Sequence, residues 1–196
     1  NAALGILMGK IYQKRKGRSW ILRQKSSELW PKWINILQSY NPNLRIEKPL
    51  YQLTNDLKKF NKLTNFANNN QHDDLETVEA DSSILDPISE IFKGNKLQGI
   101  ISHQDGRINP KVLLETLNIA LKSKNIKTIN NQITKIRKNN KKWNLVLKTG
   151  EILISEIVIL CNSLDSLKLI NPEIYDIKLK PVLGQAVEIF HEEKNI

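Results

Sequence analysis

An α/β chain with an α+β portion is what the sequence predicts, and three observations carry that expectation. A capped amphipathic helix lies near the middle, strand and turn segments follow it directly, and residues 157–160 form a continuous apolar run. Such a run suits a parallel strand buried on both faces. The helix is the most informative stretch, DGRINPKVLLETLNIALKSKN over residues 105–125. Asn109 can cap it, and Pro110 fits its first turn, where a missing N–H leaves no bond unmade. Val112, Leu113, Leu117, Ala120 and Leu121 recur at the spacing of one buried face. Beyond it come residues 126–129, an alternating strand at 132–137, a hairpin closed by Thr149 and Gly150, and the apolar run, which Asn162 and Ser163 close.

The preceding half reads as helices alternating with strands. Trp20, Leu22, Leu29, Trp33, Ile34 and Leu37 fall near helical spacing, but Pro31 interrupts them. A proline inside a helix removes one hydrogen bond and crowds the preceding turn, which predicts either two helices or one kinked near Leu29. Trp30 and Trp33 share a face and are expected in the core. Residues 44–53 alternate enough for a strand, residues 56–68 form a second amphipathic helix, and residues 96–103 another strand. Pro87 breaks residues 81–92 into short turns of helix.

The order and wording of these segments resemble the middle of the D-amino-acid oxidase superfamily of FAD-dependent flavoproteins, in its glycine-oxidase-like branch. The resemblance extends from Asn1 to Phe190. The opening NAALGILMGK is similar to the small-residue loop the family places beside the flavin, and GRINPKVLLETLNIALKSKNI to its crossover helix. ITKIR resembles the strand near the adenine, WNLVLKTGEILIS the hairpin after it, and EIVILCNS the strand beneath the flavin. LKPVLGQAVEIF resembles the return to the substrate domain.

The resemblance implies a partial Rossmann-like FAD domain, residues 1–18 and 104–180, interleaved with an antiparallel-sheet substrate domain, residues 19–103 and 181–196. It implies FAD as cofactor and oxidation of the C–N bond of a small amino acid or amine, by hydride transfer to the flavin. It assigns cofactor contacts to Asn1, Ala2, Ala3, Gly5, Ile6, Leu7, Ile133, Cys161 and Asn162. The small residues would let the backbone approach the cofactor, Ile6 and Leu7 would pack on the flavin face, and Ile133 would meet the adenine through its main chain. At Asn162 the family usually has Gly; Asn tolerates the left-handed conformation such a turn needs, but its side chain can crowd the cofactor or bond to it.

Dinucleotide binding needs a strand, a G-x-G-x-x-G turn and a helix. Gly5 and Gly9 are too far apart to supply that turn, so the unit is expected upstream and the chain is read as an internal piece of a longer one. The substrate-carboxylate Arg and pocket Tyr of the family are expected downstream. No catalytic nucleophile, carboxylate pair or triad is seen, and none is needed where a flavin performs the redox step.

A length of 196 residues and a hydrophobic fraction of 40% suffice for a packed core. The charge of +10 raises a polyanion as partner. That gives the alternative reading, a basic non-catalytic module binding RNA or another polyanion. The excess rests on scattered Lys beside abundant Asn and Ile, which favours a solvated surface. Tyr12, Trp20, Trp30, Trp33 and Tyr40 interleave with cations as in single-strand binders, yet the three-residue spacing of Trp30 and Trp33 on one helical face favours a core role. His103 and Arg107 are read as a surface loop. Cys161 is the only cysteine, so no intrachain disulfide can form. The three histidines lack metal-ligand spacing, and Asp73 with Asp74 reads as an isolated acidic pair, so no metal is expected. With no span of roughly 20 apolar residues, a cytoplasmic location without a membrane partner is expected.

Overall fold

The computed structural model describes residues 5–79, 85, 96–170 and 179–180. The chain divides into two compact units, Asn1–Ile126 and Lys127–Ile196.

The first unit holds two antiparallel three-stranded sheets. Strand β1 (Ile6–Leu7) and strand β2 (Ile46–Glu47) flank β6 (Gly106–Ile108), while β3 (Leu50–Thr54) and β4 (Leu75–Val78) flank β5 (Gln98–Ser102). The single strand expected over residues 44–53 is therefore two strands in different sheets. Pro49 stands between them, and with no N–H to donate it cannot continue a ladder.

Helix α1 (Arg18–Gln38) runs through Pro31 as one element of 21 residues, the unbroken member of the two alternatives. Contacts on both sides of the proline hold it. Arg23 Nη1 donates to the Met8 carbonyl at 2.7 Å and its guanidinium lies 3.9 Å from the Tyr12 ring, while Ile34 and Leu37 are buried beyond. Trp33 is not in the core but 51% exposed. Only the side of α1 carrying Trp30, Ile34 and Leu37 joins the cluster around Leu44 and Ile108, and Trp33 lies at a groove with Leu29, Leu113 and Leu117.

Helix α2 (Leu57–Asn68) starts at Asp56, whose Oδ1 accepts from the Lys58 and Lys59 amides at 2.8 and 3.1 Å, a cap worth about 1 kcal/mol. Its Leu63 and Ala67 pack with Ile11 and Ile100 against one face of the β3–β5–β4 sheet. Val78, Leu85 and Ile101 form a separate cluster. The crossover helix α3 (Pro110–Ser123) starts as expected and packs four of the five residues expected on its buried face; Leu121 is 37% exposed instead. Asn109 accepts from Lys111 N and Val112 N, Pro110 opens the first turn, and Val112, Leu113, Leu117 and Ala120 pack against Ile108. Thr116, polar and unforeseen, is the buried residue of this helix. Its hydroxyl donates back to the Val112 carbonyl at 2.7 Å, which removes its cost in the core. The segment 81–92 lies outside the described residues except Leu85.

The second unit is an antiparallel meander of β7 (Ile133–Asn139), β8 (Lys142–Leu147) and β9 (Ile152–Ser155), followed by a 3-10 turn over Ser163–Lys168. Asn140 (φ 54°) and Gly150 (φ 88°) supply the left-handed positions its two turns need. Leu145 and Leu147 are buried, and Ile136 is half-buried opposite Leu145. One expectation fails here: residues 157–160 form no strand. Ile157 is 75% and Ile159 81% exposed, whereas Val158 and Leu160 are half-buried. A parallel strand forms only against a neighbouring strand, and among the described residues none pairs with this run.

The segment between β1 and α1 is tied to the first unit by buried charge. Asp73, 2% exposed, receives Lys10 Nζ at 2.9 Å on one oxygen and Arg15 Nη1 on the other. Arg15 also donates to the Asn70 side chain and the Lys10 carbonyl, and lies over the rings of Phe66 and Trp20. The supposedly isolated Asp73 is thus an anchor. Burial alone would push its carboxyl up, but the hydrogen bonds and charges of Lys10 and Arg15 prevail and hold it below its ordinary value of 3.8. A lowered folded-state value adds stability that is complete above 3.8 and disappears as pH falls through the lowered value. Asp73→Asn is therefore expected to cost about 1–3 kcal/mol near neutral pH and to flatten the stability profile in that acid window, measured by denaturant unfolding across pH. In the core, Ile100→Ala is expected to cost about 2–5 kcal/mol in the same assay.

Candidate functional site

The residues singled out as cofactor contacts fall in both units, and each group has its own local setting. Asn1, Ala2 and Ala3 lie outside the described residues. Gly5, Ile6 and Leu7 lie at the start of the first unit. Gly5 holds φ 68°, and its carbonyl accepts from Ile108 N at 2.8 Å. A Cβ there would strike the Ile108 carbonyl, so backbone approach and backbone conformation both demand glycine. Ile6 pairs with Arg107 in the sheet and is 44% exposed, whereas Leu7 packs in the cluster of Ile34, Leu37, Leu44 and Ile108. Of the two side chains expected to face the flavin, Ile6 is open to a ligand and Leu7 contributes to the core.

After Leu7 the chain turns across Asp105. This carboxylate, 5% exposed, accepts from Gly9 N at 2.7 Å, Lys10 N at 3.0 Å and Ile11 N at 2.6 Å. Three consecutive N–H groups converging on one anion form a nest, a concavity suited to negative charge. Here the chain's own side chain fills it. Gly9 keeps the approach close, because a Cβ there would meet the Ser27 hydroxyl at 2.5 Å and Asp105 Oδ1 at 3.2 Å.

In the second unit, Ile133, Cys161 and Asn162 line one cavity of about 680 Å³, with Gln132, Thr134 and Leu160 among its walls. Residues nearly 30 positions apart in sequence are thus brought to one place. Among the described residues strand β7 is at the edge of its sheet, with β8 on one side only. Alternate N–H and C=O groups along its free edge point away from the ladder. The register shifts between Ile133 and Lys135, leaving Thr134 out of the pairing, and its hydroxyl donates to the Val146 carbonyl at 3.1 Å. The opposite wall comes from residues 159–162.

At Asn162 the geometry differs from the expected glycine-like turn. Asn162 itself has φ −97°, and the left-handed residue is Ser163 at φ 53°. The Asn162 side chain is engaged, its Oδ1 accepting from Ser166 Oγ at 2.6 Å. The strain therefore moves one residue along, and the amide is held at the cavity wall by its own 3-10 turn.

Asp105, Gln132 and Thr134 are constituents that sequence reading did not single out. Asp105 could have been found from its place directly before Gly106 in the segment already prized for its helix. For Thr134 the sequence carries no signal, since a bulge is invisible before pairing is known. His103 and Arg107 sit in exposed pairs, His103 Nε2 at 3.0 Å from Glu76 and Arg107 Nε at 3.8 Å from Glu47, in keeping with a surface role. Among the described residues no helix is long and apolar enough to cross a membrane.

Similar folds occur among solved structures. Glycine oxidase from Geobacillus kaustophilus superposes with a TM-score of 0.69 at 18% identity, covering 86% of this chain and 46% of that one. Glycine oxidase from Bacillus cereus gives 0.64 at 18% identity, covering 86% and 47%. Iminodiacetate oxidase from Chelativorans gives 0.57 at 13% identity, covering 78% and 42%. The chain therefore spans less than half the length of each. No curated protein sequence matches it. The family model for FAD dependent oxidoreductases, DAO, matches residues 1–195. A match over nearly the whole chain, with the capped crossover helix, the meander and the superposed fold, makes this protein a member of the DAO family of FAD-dependent oxidoreductases.

Proposed function

We propose that the chain is part of an FAD-dependent oxidoreductase that oxidises the C–N bond of a small amino acid or amine, of the glycine or D-amino-acid type. One observation carries the cofactor part: Ile133, Cys161 and Asn162, chosen from sequence for FAD, line a single cavity. Family membership favours this reading over a basic polyanion-binding module. Glycine oxidases and an iminodiacetate oxidase among the similar folds support amine oxidation as the reaction class. The proposed domain division remains residues 1–18 and 104–180 for FAD, with 19–103 and 181–196 for substrate.

The donor set suits part of such a cofactor. A cavity of about 680 Å³ with an edge-strand backbone, the Gln132 and Asn162 amides and the apolar Ile133 and Leu160 fits a flat heteroaromatic group with polar edges. In this proposal the adenine end lies there. The β7 edge offers N–H and C=O groups, Ile133 supplies apolar surface, and Asn162, held by Ser166, offers its free amide nitrogen. In the first unit, taken by itself, Gly5 would let the backbone come close to a flat ring, and Ile6, 44% exposed, would offer it apolar surface. When bound, FAD supplies the two-electron acceptor for hydride leaving the substrate's α-carbon. No side chain of this chain need act as acid or base in that role.

The purified protein is expected to show a flavin absorption spectrum that bleaches on anaerobic addition of glycine, sarcosine or D-alanine. A colourless protein that also fails to take up added FAD would overturn the reading. Cys161→Trp places bulk in the cavity at an exposed position. It is expected to weaken FAD binding by about tenfold or more, on the order of 1.4 kcal/mol, with little change in the thermal midpoint. FAD titration and thermal unfolding of the same variant check both.

A further inference from the structure

We infer that Asp105 is a positioning residue for the cofactor, acting through the backbone of residues 5–11. This rests on the FAD reading above and assigns a role to a residue that touches no cofactor itself.

Strand β1 has two residues, Ile6 and Leu7, paired with Arg107 and Gly106. So short a strand cannot fix its own position. Asp105 adjoins Gly106 in sequence, and its carboxylate grips Gly9, Lys10 and Ile11, just beyond Leu7. The strand is therefore held at the end where the clamp sits, and Gly5 and Ile6 are carried to a set place. The clamp is itself oriented. Ser102, fully buried at the end of β5, accepts the Asp105 N–H on its hydroxyl at 3.1 Å.

Among the described residues Asp105 forms no ion pair; Lys10, whose backbone N–H it holds, turns its side chain to Asp73. Three backbone N–H groups therefore carry the whole interaction with its carboxylate. An amide in its place would keep the shape but turn one NH₂ group toward these donors. The charge and acceptor character of Asp105, not its size, are what the position requires.

The test compares Asp105→Asn with Asp73→Asn in the purified protein. Asp73→Asn loosens the same segment farther along, at Lys10 and Arg15, and so controls for lost stability alone. Two readouts apply: hydrogen exchange at the Gly9, Lys10 and Ile11 amides, and visible circular dichroism of FAD at saturating concentration. Asp105→Asn is expected to speed exchange by about tenfold or more and to change the flavin dichroism, whereas Asp73→Asn leaves the dichroism as in the unmodified protein. Identical dichroism in all three would overturn the inference while leaving the FAD reading intact. Failure of the unmodified protein to take up FAD would overturn both. Should Asp105→Asn fail to fold, Ser102→Ala removes only the orienting hydroxyl. A flavin dichroism that differs from that of the unmodified protein and of Asp73→Asn supports the inference, and no change overturns it.

Discussion

A buried carboxylate facing three backbone N–H groups is the constraint on which the first unit most depends. Segment 8–17 forms neither helix nor strand, and where it is buried, at Gly9 and Ile11, its polar backbone must find partners. Asp105 supplies them at Gly9, Lys10 and Ile11. With those amides satisfied, Ile11 can sit in the core beside Leu63, Ala67 and Ile100, and α1 can leave in a direction that brings Arg23 to the Met8 carbonyl. Asp73 repeats the device with side chains instead of amides. A segment that resembles a cofactor loop is thereby made as fixed as a strand.

Rigidity of this kind suits a protein whose difficult chemistry belongs to a cofactor. Such a protein must place a large, flat group accurately, and loops do this well only when their own backbone is locked. The two groups of candidate contacts meet that need differently. Gly5 is held by its left-handed backbone and by the Ile108 N–H on its carbonyl, with the Asp105 clamp just beyond Leu7. The cavity at Ile133 owes its shape to a strand with a bulge and to a 3-10 turn in which the Ser166 hydroxyl donates to the Asn162 side chain.

What could be read in advance followed from local chemistry. Asn109 and Pro110 announce a helix start, Asp56 another, and the Thr149–Gly150 pair a turn, because each acts within a few residues of itself. Long-range partnership was not legible. Asp105 and Asp73 look like ordinary loop acids until the amides and cations some 60 to 95 positions away are brought to them. Strands β1, β2 and β6 are two or three residues long, too short for an alternation to register. Residues 157–160 show the converse case. Their composition is that of a buried strand, but a strand is a relation between two segments, and among the described residues the run has no partner. Trp33 fails for a related reason: its spacing places it beside Trp30, yet the cluster around Leu44 takes up one side of the helix alone.

The most direct test of this account is a crystal structure of the protein with FAD bound. The account expects the adenine against Ile133 in the cavity walled by Leu160 and Asn162, and the Asp105 carboxylate still bonded to the amides of Gly9, Lys10 and Ile11. Adenine bound away from Ile133, or a cofactor seated with those three amides released from Asp105, would contradict it.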